Sequence, residues 1–238
     1  MRLNENLMLI GDKVALVPYK AEHVPKYHEW MKSPFLQEMT ASDPLTLEEE
    51  YEMQTSWHQD EEKLTFIIVS LPNDSTQSLK DLTGPQVKES TVMVGDVNIF
   101  LNDPDNDKTF GEIEVMVAEP VFRRTGRGKE ALKILMGYCI LVLGLKTFQA
   151  KISLSNEPSI SLFKSQFGFY QVSISQVFEE VVLEWSLLEP APSKMDEYGN
   201  EIECYGSKAS QEQRNRVLQV KEELIQFWND NVKSNDYN

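Results

Sequence analysis

The segment VFRRTGRGKEALKILMGY covers 121–138. Its residues 123–129 combine four cations with two glycines just before an apolar helical pattern. The residues that could contact a ligand are Arg123, Arg124, Thr125, Gly126, Arg127, Gly128 and Lys129. Glycines let the backbone approach a ligand closely, and the free amides and positive dipole end at a helix N-terminus attract anions. The pattern therefore predicts a phosphate-binding loop, with a solvated glycine-rich turn as the alternative.

Two other phosphate-binding motifs fit this stretch less well. A P-loop needs glycine at its first position and Ser or Thr at its last, where this chain has Arg123 and Glu130. The dinucleotide fingerprint Gly-x-Gly-x-x-Gly/Ala is matched by 126–131. That fingerprint requires a strand running straight into the first glycine, whereas the preceding strand pattern ends near Ala118. It also requires an acidic ribose ligand about 20 residues later, and FQAKIS at 148–153 has none.

Hydrophobic periodicity around the loop indicates alternating strands and helices. Strands are predicted at 13–18, 64–71, 92–101, 111–118, 148–153, 170–175 and 177–187. Helices are predicted at 21–32, 46–59, 127–143, 158–166 and 210–232. Thr46 with Glu49, and Ser210 with Gln213, form the capping boxes expected at helix starts. The segment 72–90 is polar and irregular, and we expect a mobile insertion that does not pack into the core.

The composition changes after Leu188, which divides the chain into three parts. We expect a main globular domain over 1–188, a linker over 189–209 and the amphipathic helix at 210–232. The apolar stripe of this helix consists of Val217, Val220, Leu224, Phe227 and Trp228. The stripe packs either on its own domain, which we favour, or on a partner protein.

Charge and composition restrict the function. A formal net charge of −15 opposes binding to a nucleic-acid backbone and favours a cationic partner. The two cysteines, Cys139 and Cys204, lack disulfide or zinc spacing, so we expect no metal and a reducing compartment. No stretch approaches the roughly 20 apolar residues that cross a bilayer. We therefore expect a cytoplasmic protein that binds no membrane, with the nucleus left open.

Taken together, three segments resemble the GNAT superfamily of N-acetyltransferases. They are the strand GEIEVMV, the loop RRTGRG and the segment NEPSISLFKSQFGF at 156–169. The opening of the chain resembles the ribosomal-protein alanine acetyltransferase branch and, within it, the N-acetyltransferase 9-like proteins. The resemblance covers 1–188. It implies an α/β (α+β) fold with a mixed, mostly antiparallel sheet of about seven strands, flanked by helices and splayed between the fourth and fifth strands.

The resemblance also implies acetyl-CoA as the cosubstrate and assigns residues to it. The amides and cations of 123–129 would bind the pyrophosphate, and the backbone near Met116 and Val117 would pair with the pantetheine arm. Asn156 would contact the cofactor and also cap the following helix. Phe163 stands beside the cofactor, where many members carry a Tyr that protonates the leaving thiolate. Because Phe has no such proton, the proton donor stays open.

Transfer of an acetyl group to an amine requires a base that removes a proton from the amine. Glu112 and Glu114 are two residues apart on a predicted strand, so both carboxylates lie on one face. We expect one of them to be the base, directly or through water, with Glu112 as first choice. The alternative is that both are ordinary exposed strand carboxylates.

The acceptor is predicted to be a protein N-terminal α-amine. The pKa of an α-amine is near 7.7–8.0 against about 10.4 for lysine, so a modest base suffices at neutral pH. Lysine and polyamines are the alternatives, with specificity expected from 30–45. A different class also stays open, namely an acetyl-CoA-binding protein that acts through partners and does not turn over.

Overall fold

The computed structural model describes residues 2–101, 107–189, 194–195, 201–202 and 207–237. Its strands are β1 (Leu7–Ile10), β2 (Ala15–Pro18), β3 (Lys63–Ser70), β4 (Val92–Phe100), β5 (Phe110–Val117), β6 (Thr147–Ser153), β7 (Tyr170–Ser175), β8 (Glu180–Ser186), β9 (Lys194–Met195), β10 (Glu201–Ile202) and β11 (Lys233–Asp236). Its α-helices are α1 (Val24–Met31), α2 (Pro34–Met39), α3 (Leu47–Gln59), α4 (Gly84–Ser90), α5 (Arg127–Tyr138), α6 (Glu157–Ser161) and α7 (Gln211–Asn231).

Nine of the strands form one sheet in the order β11-β1-β2-β3-β4-β5-β6-β8-β7. All neighbours are antiparallel except β5 and β6, which pair in parallel over only three residues, 110–112 with 147–149. Beyond Glu112 no further pair joins these two strands, so the sheet opens between them. They are the fourth and fifth of the predicted strands, which confirms the predicted splay. The unpredicted strands β1 and β11 extend the other edge of the sheet.

Hydrophobic clusters cover both faces of the sheet. On one face, α5 and α7 pack on alternating residues of β4 and β5, including Ile99 and Ile113. On the other face, α1 and Tyr19, which directly follows β2, pack on residues such as Ile67 and Met116. Because strand side chains alternate between faces, Glu112 and Glu114 share the face of Met116 and lie on the α1 side.

The predicted helix limits hold with local corrections. α5 ends at Tyr138 and continues as a π-helical turn over Cys139–Leu143 until Gly144, whose φ of 73° ends it. The predicted helix at 158–166 is likewise split into α6 and a π-helical turn over Leu162–Gln166. α2 was not predicted, because its six residues are too few to show a clear period.

The prediction for 72–90 was wrong, because its second half packs into the core. Thr83 and Gln86 form a capping box that starts α4. Leu79, Leu82 and Val87 are buried. Their partner is Tyr237, which is 3% exposed and lies against α4 with the Lys88 ammonium 4.3 Å from its ring centroid. Since Tyr237 is about 150 residues away along the chain, local sequence could not reveal this contact.

The helix α7 docks on its own domain. Val217, Val220 and Leu224 are at most 1% exposed within the same cluster as α5. A Cβ at Gly137 of α5 would lie 3.1 Å from Trp228, so the two helices approach closely there. The predicted cap is present, with the Gln213 amide donating to Ser210 Oγ at 3.3 Å. Most of the predicted linker at 189–209 lies outside the described residues, apart from its ends and the β9–β10 pair.

Candidate functional site

The loop between β5 and α5 has the backbone of an anion-binding turn. Arg124 has a φ of 60° and Gly126 a φ of 87°, and α5 begins directly after Gly126. Only glycine adopts such a φ without strain, which explains its place at this position. The amides of the first turn of a helix have no acceptor within the helix. They are therefore available to a phosphate at the N-terminus of α5.

Gly128 serves the packing of this loop. A Cβ at this position would lie 3.0 Å from Val117 Cγ2, on the strand beneath the helix. A larger residue would push the start of α5 away from β5. The two glycines therefore have different tasks, one conformational and one steric.

The four cations of the loop point in different directions. Arg123 donates from Nε to the Val117 carbonyl at 2.9 Å and from Nη2 to Ala118 at 3.0 Å, so it holds the end of β5. Arg127 donates from Nε to Ser70 Oγ at 2.8 Å. Lys129 donates to Gln166 Oε1, and Arg124 is exposed. Arg123 thus mainly stabilises the end of β5, a role that the sequence did not indicate. Thr125 closes the preceding turn by donating from Oγ1 to the Phe122 carbonyl.

A lysine that the sequence analysis missed lies on the same loop. Lys13, in the turn between β1 and β2, donates from Nζ to the Thr125 carbonyl at 3.3 Å. Its backbone amide donates to Glu130 Oε1 at 2.7 Å, and the Val14 amide donates to the same oxygen at 3.3 Å. Glu130 is buried in the first turn of α5. This carboxylate fixes the β1–β2 turn beside the phosphate-binding loop, an arrangement of residues more than 110 positions apart.

The open edge of β5 exposes backbone groups of alternating residues. The Ala118 amide donates to the Val94 carbonyl of β4, whereas the Thr109 carbonyl accepts from Lys146 and Thr147 beside β6. Because backbone groups alternate sides along a strand, Val115 and Val117 turn toward the splay and Met116 turns toward β4. Met116 is also only 7% exposed. The backbone of Val117 therefore has the direction that the predicted pairing needs, as does that of Val115, whereas the backbone of Met116 does not.

Asn156 and Phe163 occupy structural positions. Asn156 Oδ1 accepts from the Ser159 amide at 3.2 Å and caps α6, which confirms the predicted cap. Phe163 is 2% exposed, and its ring centroid lies 4.9 Å from that of Phe169 in an edge-on contact. Its place in the aromatic core leaves it almost no surface for a ligand. The prediction that Phe163 contacts the cofactor is therefore not supported by its position.

The two strand carboxylates differ in their surroundings. Glu112 Oε2 accepts a hydrogen bond from Lys151 Nζ at 2.7 Å, across the last paired residues of β5 and β6. Glu114 lies one step further, where the strands have separated, and it is exposed to solvent. Part of its side chain is open to solvent, but the surrounding sheet and helices remove much of the water around the carboxyl. This desolvation raises the pKa of the Glu114 carboxyl to about 7. The nearby Asp96 also raises this pKa, whereas Lys63 lowers it.

A buried polar cluster lies beside Glu114 on the same face. Asp96 and Asn98 of β4 face Met116 and Glu114 of β5 in the register. Asp96 Oδ2 accepts from Asn98 Nδ2 at 2.8 Å and from the Tyr27 hydroxyl at 3.4 Å. Burial raises the pKa of Asp96 to about 6. Tyr27 and Asn98 are about 70 positions apart in the sequence, and only the folded sheet with α1 packed on it brings these residues together.

Lys63 completes this cluster from β3. It is 4% exposed, and its ammonium lies 2.9 Å from the ring centroid of Trp57 and 4.2 Å from that of Phe100. Burial lowers the pKa of Lys63 to about 8, an effect that Glu114 and Asp96 oppose. A cation and two carboxylates in this arrangement allow Glu114 to change protonation state near neutral pH.

The helices α1 and α2 lie over the same region and are fixed to the phosphate-binding loop. Trp30 Nε1 donates to Glu119 Oε1 at 2.8 Å, and Lys26 Nζ pairs with the same oxygen at 2.5 Å. The Arg123 guanidinium stacks 4.9 Å from the ring centroid of Phe35. The predicted specificity segment at 30–45 is thus connected to both the loop and the carboxylate face. No helix in the described ranges is long and apolar enough to cross a bilayer.

A splayed mixed sheet, a glycine-rich anion loop at the splay and an accessible carboxylate beside it define an acyl-CoA-type transferase. The comparison with protein families agrees, since residues 13–169 match the model of the acetyltransferase (GNAT) domain. The chain belongs to this family.

Two relatives and one solved structure illustrate the similarity. The Alpha/beta-tubulin-N-acetyltransferase 9 of Mus musculus is 52% identical over 190 residues, which cover 80% of this chain and 75% of that protein. The protein of the same name from Homo sapiens is 51% identical over 190 residues, covering 79% and 87%. A ribosomal L7/L12 alpha-N-protein acetyltransferase solved in complex with coenzyme A has a TM-score of 0.57 and 16% identity, over 74% of this chain and 96% of the other. The latter likeness concerns the fold.

Proposed function

We propose that this protein transfers the acetyl group of acetyl-CoA directly to a protein N-terminal α-amine, with Glu114 as the base. The observation that carries the proposal is an accessible carboxylate with a pKa of about 7, next to the open edge of β5. A base is most effective when its pKa is close to the working pH. Glu114 therefore replaces Glu112 as first choice, since Glu112 is held in an ion pair with Lys151.

The loop and the splay provide the cofactor site. The amides at the start of α5 bind the pyrophosphate, and the pantetheine arm pairs with the Val115 carbonyl and the Val117 amide, since the Val117 carbonyl already accepts from Arg123. This path runs from the loop toward the start of β5. It ends at Glu112, where β5 and β6 begin to pair. The thioester then lies level with Glu114, and the acceptor enters from the α1 side of the sheet.

The reaction needs no covalent enzyme intermediate. The neutral acceptor amine attacks the thioester carbon to form a tetrahedral oxyanion, and Glu114 accepts the proton that the nitrogen loses. The C–S bond then breaks as the carbonyl re-forms, which leaves the amide and the CoA thiolate. The Val115 amide, turned to the open edge, donates to the developing oxyanion. The CoA thiolate takes its proton from solvent, because Phe163 has none to give.

The acceptor class rests on two supports. An α-amine is partly neutral at pH 7, so a base with a pKa near 7 is sufficient, whereas lysine is almost wholly protonated. Relatives at about 50% identity carry the name of tubulin N-acetyltransferases, which supports a protein amine. Tubulin N-terminal peptides are therefore the first acceptors to test.

Turnover with defined acceptors tests this proposal. Acetyl-CoA consumption is measured with tubulin N-terminal peptides, with the same peptides blocked at the α-amine but carrying an internal lysine, and with spermidine. The proposal expects turnover with the free N-termini only. Turnover with the blocked peptides or with spermidine would favour the lysine or polyamine alternative. Stoichiometric CoA binding without turnover of any acceptor would favour a binding protein.

A further inference from the structure

A cavity of about 260 Å³ adjoins the phosphate-binding loop on the side away from the splay. It lies between the β1–β2 turn, the end of β3 and the first half of the 72–90 insertion. The residues that line it are Asp12, Lys13, Ser70, Leu71, Pro72, Asn73, Ser75, Gln77, Leu79, Thr125 and Arg127. Only Thr125 and Arg127 of this lining belong to the phosphate-binding loop, and none of it belongs to the carboxylate face.

The charges that line the cavity favour an anion. Lys13 Nζ lies at the N-terminus of α5, where it contacts the Thr125 carbonyl. A cation at this end of a helix is repelled by the dipole unless an anion lies between them. Arg127 adds a second positive charge. The carboxylate of Asp12 is already neutralised, because its Oδ1 pairs with Lys80 Nζ at 2.5 Å.

The charge of Lys13 is not balanced by a carboxylate within the described ranges. Its ammonium has the Thr125 carbonyl as a partner, and its backbone amide, not its side chain, contacts Glu130. Although the chain has a formal net charge of −15, two cations, Lys13 and Arg127, line this cavity. Such a pair is a natural site for a doubly charged phosphate group.

The size and the walls of the cavity indicate which phosphate. At about 260 Å³ it is slightly smaller than the 300–1,000 Å³ of sites for drug-sized ligands, so a phosphorylated ribose fits better than a whole nucleotide. Leu71 and Leu79 form an apolar floor, and Ser75 and Gln77 offer hydrogen-bond donors. Coenzyme A carries one phosphate besides its pyrophosphate, the monoester on the ribose 3′ oxygen.

We propose that this cavity binds the 3′-phosphate of the coenzyme A ribose, with Lys13 as its principal contact and the insertion as its outer wall. The inference rests on the proposed use of acetyl-CoA. It gives the insertion, which no other part of the site requires, a role in selecting coenzyme A over forms that lack this phosphate.

Calorimetry with CoA and 3′-dephospho-CoA tests the inference on the full chain. The wild type is expected to bind CoA at least about tenfold more tightly than dephospho-CoA, since a hydrogen bond to a charged group is worth at least about that factor. Lys13→Ala, at an exposed side chain, should weaken CoA binding about tenfold and leave dephospho-CoA binding within about twofold. The matched control Lys108→Ala removes the same charge at an exposed position before β5 and should change neither.

A second variant acts on the cavity without altering the loop or α5. Gln77→Glu places a negative charge in the exposed outer wall and should weaken binding of CoA but not of dephospho-CoA. Equal weakening of both ligands by Lys13→Ala would place Lys13 on the pyrophosphate and overturn the inference. Equal wild-type affinity for both ligands would overturn it as well, while leaving the proposed function intact. Failure of the wild type to bind CoA at all would overturn both.

Discussion

The two halves of the site, the phosphate-binding loop and the carboxylate face, are built in opposite ways. The loop is local, because a positive φ at Gly126 and the start of α5 place its amides within a few residues of each other. The carboxylate face is assembled from three strands, with Lys63, Asp96 and Glu114 brought together only by register. A site of the first kind fails when its backbone changes. A site of the second kind changes gradually as its neighbours are replaced.

The largest effect is expected from the loop. Gly126→Asp combined with Gly128→Asp forces an L-residue into a φ of 87°, crowds Val117 and adds negative charge at the anion site. Affinity for acetyl-CoA should fall at least about 100-fold by calorimetry, while circular dichroism shows a folded protein. Gly144→Asp is the matched control, because Gly144 has a φ of 73° with open space around it at the far end of the same helix. Unchanged affinity in the double variant would mean that the phosphate binds elsewhere.

The next effect concerns the carboxylate face. Glu114→Gln keeps the shape of the side chain but removes its basicity, so turnover at pH 7 should fall about 100-fold with acetyl-CoA affinity unchanged. Glu112→Gln is the control on the same strand and face, and only a few-fold loss is expected. Initial rates and calorimetry on both variants separate the two residues. A larger loss in Glu112→Gln would restore it as the base.

A smaller effect is expected at the remote support of the carboxylate face. The Tyr237 hydroxyl lies 3.2 Å from His23 Nε2 and donates to Glu22 at 3.3 Å, just before α1. Tyr237→Ala should lower the free energy of unfolding by about 3 kcal/mol, and Tyr237→Phe by about 1 kcal/mol. Urea denaturation measures both. Equal stability of the alanine variant and the wild type would show that the end of the chain does not support α1.

The smallest effect concerns the influence of Asp96 on the pKa of Glu114. The rate of acetyl transfer should rise with pH through about 7, as Glu114 loses its proton and becomes a base. Asp96→Asn removes a nearby negative charge, and this loss lowers the pKa of Glu114. The rise of kcat/KM with pH, here called the Glu114 limb, should therefore move to lower pH. Combining Asp96→Asn with Glu114→Gln should abolish the Glu114 limb. A limb at the same pH in Asp96→Asn would show that the two carboxylates do not interact.

Sequence alone predicted the parts of the site that local chemistry specifies. The loop and the caps at Thr46 and Ser210 each follow from residues within a few positions of one another, whereas the splay was expected from the resemblance to the GNAT superfamily. Lys13, Lys63 and Asp96 could not be predicted, because their roles depend on which strands are neighbours and in what register. The packing of 79–90 was missed for the same reason, since its partner Tyr237 comes from the far end of the chain.

The pairing of β1 with β11 has a consequence for the newly made chain. These strands pair antiparallel although Leu7 and Asp236 are separated by almost the whole sequence. At a synthesis rate of about 5–20 residues per second, roughly 10 to 45 seconds pass between the emergence of the two strands. During that interval the outer edge of β1 has no strand to pair with, and open edges are where wrong association begins. A ribosome-bound chain of this protein therefore carries an unpaired β1 edge until β11 emerges.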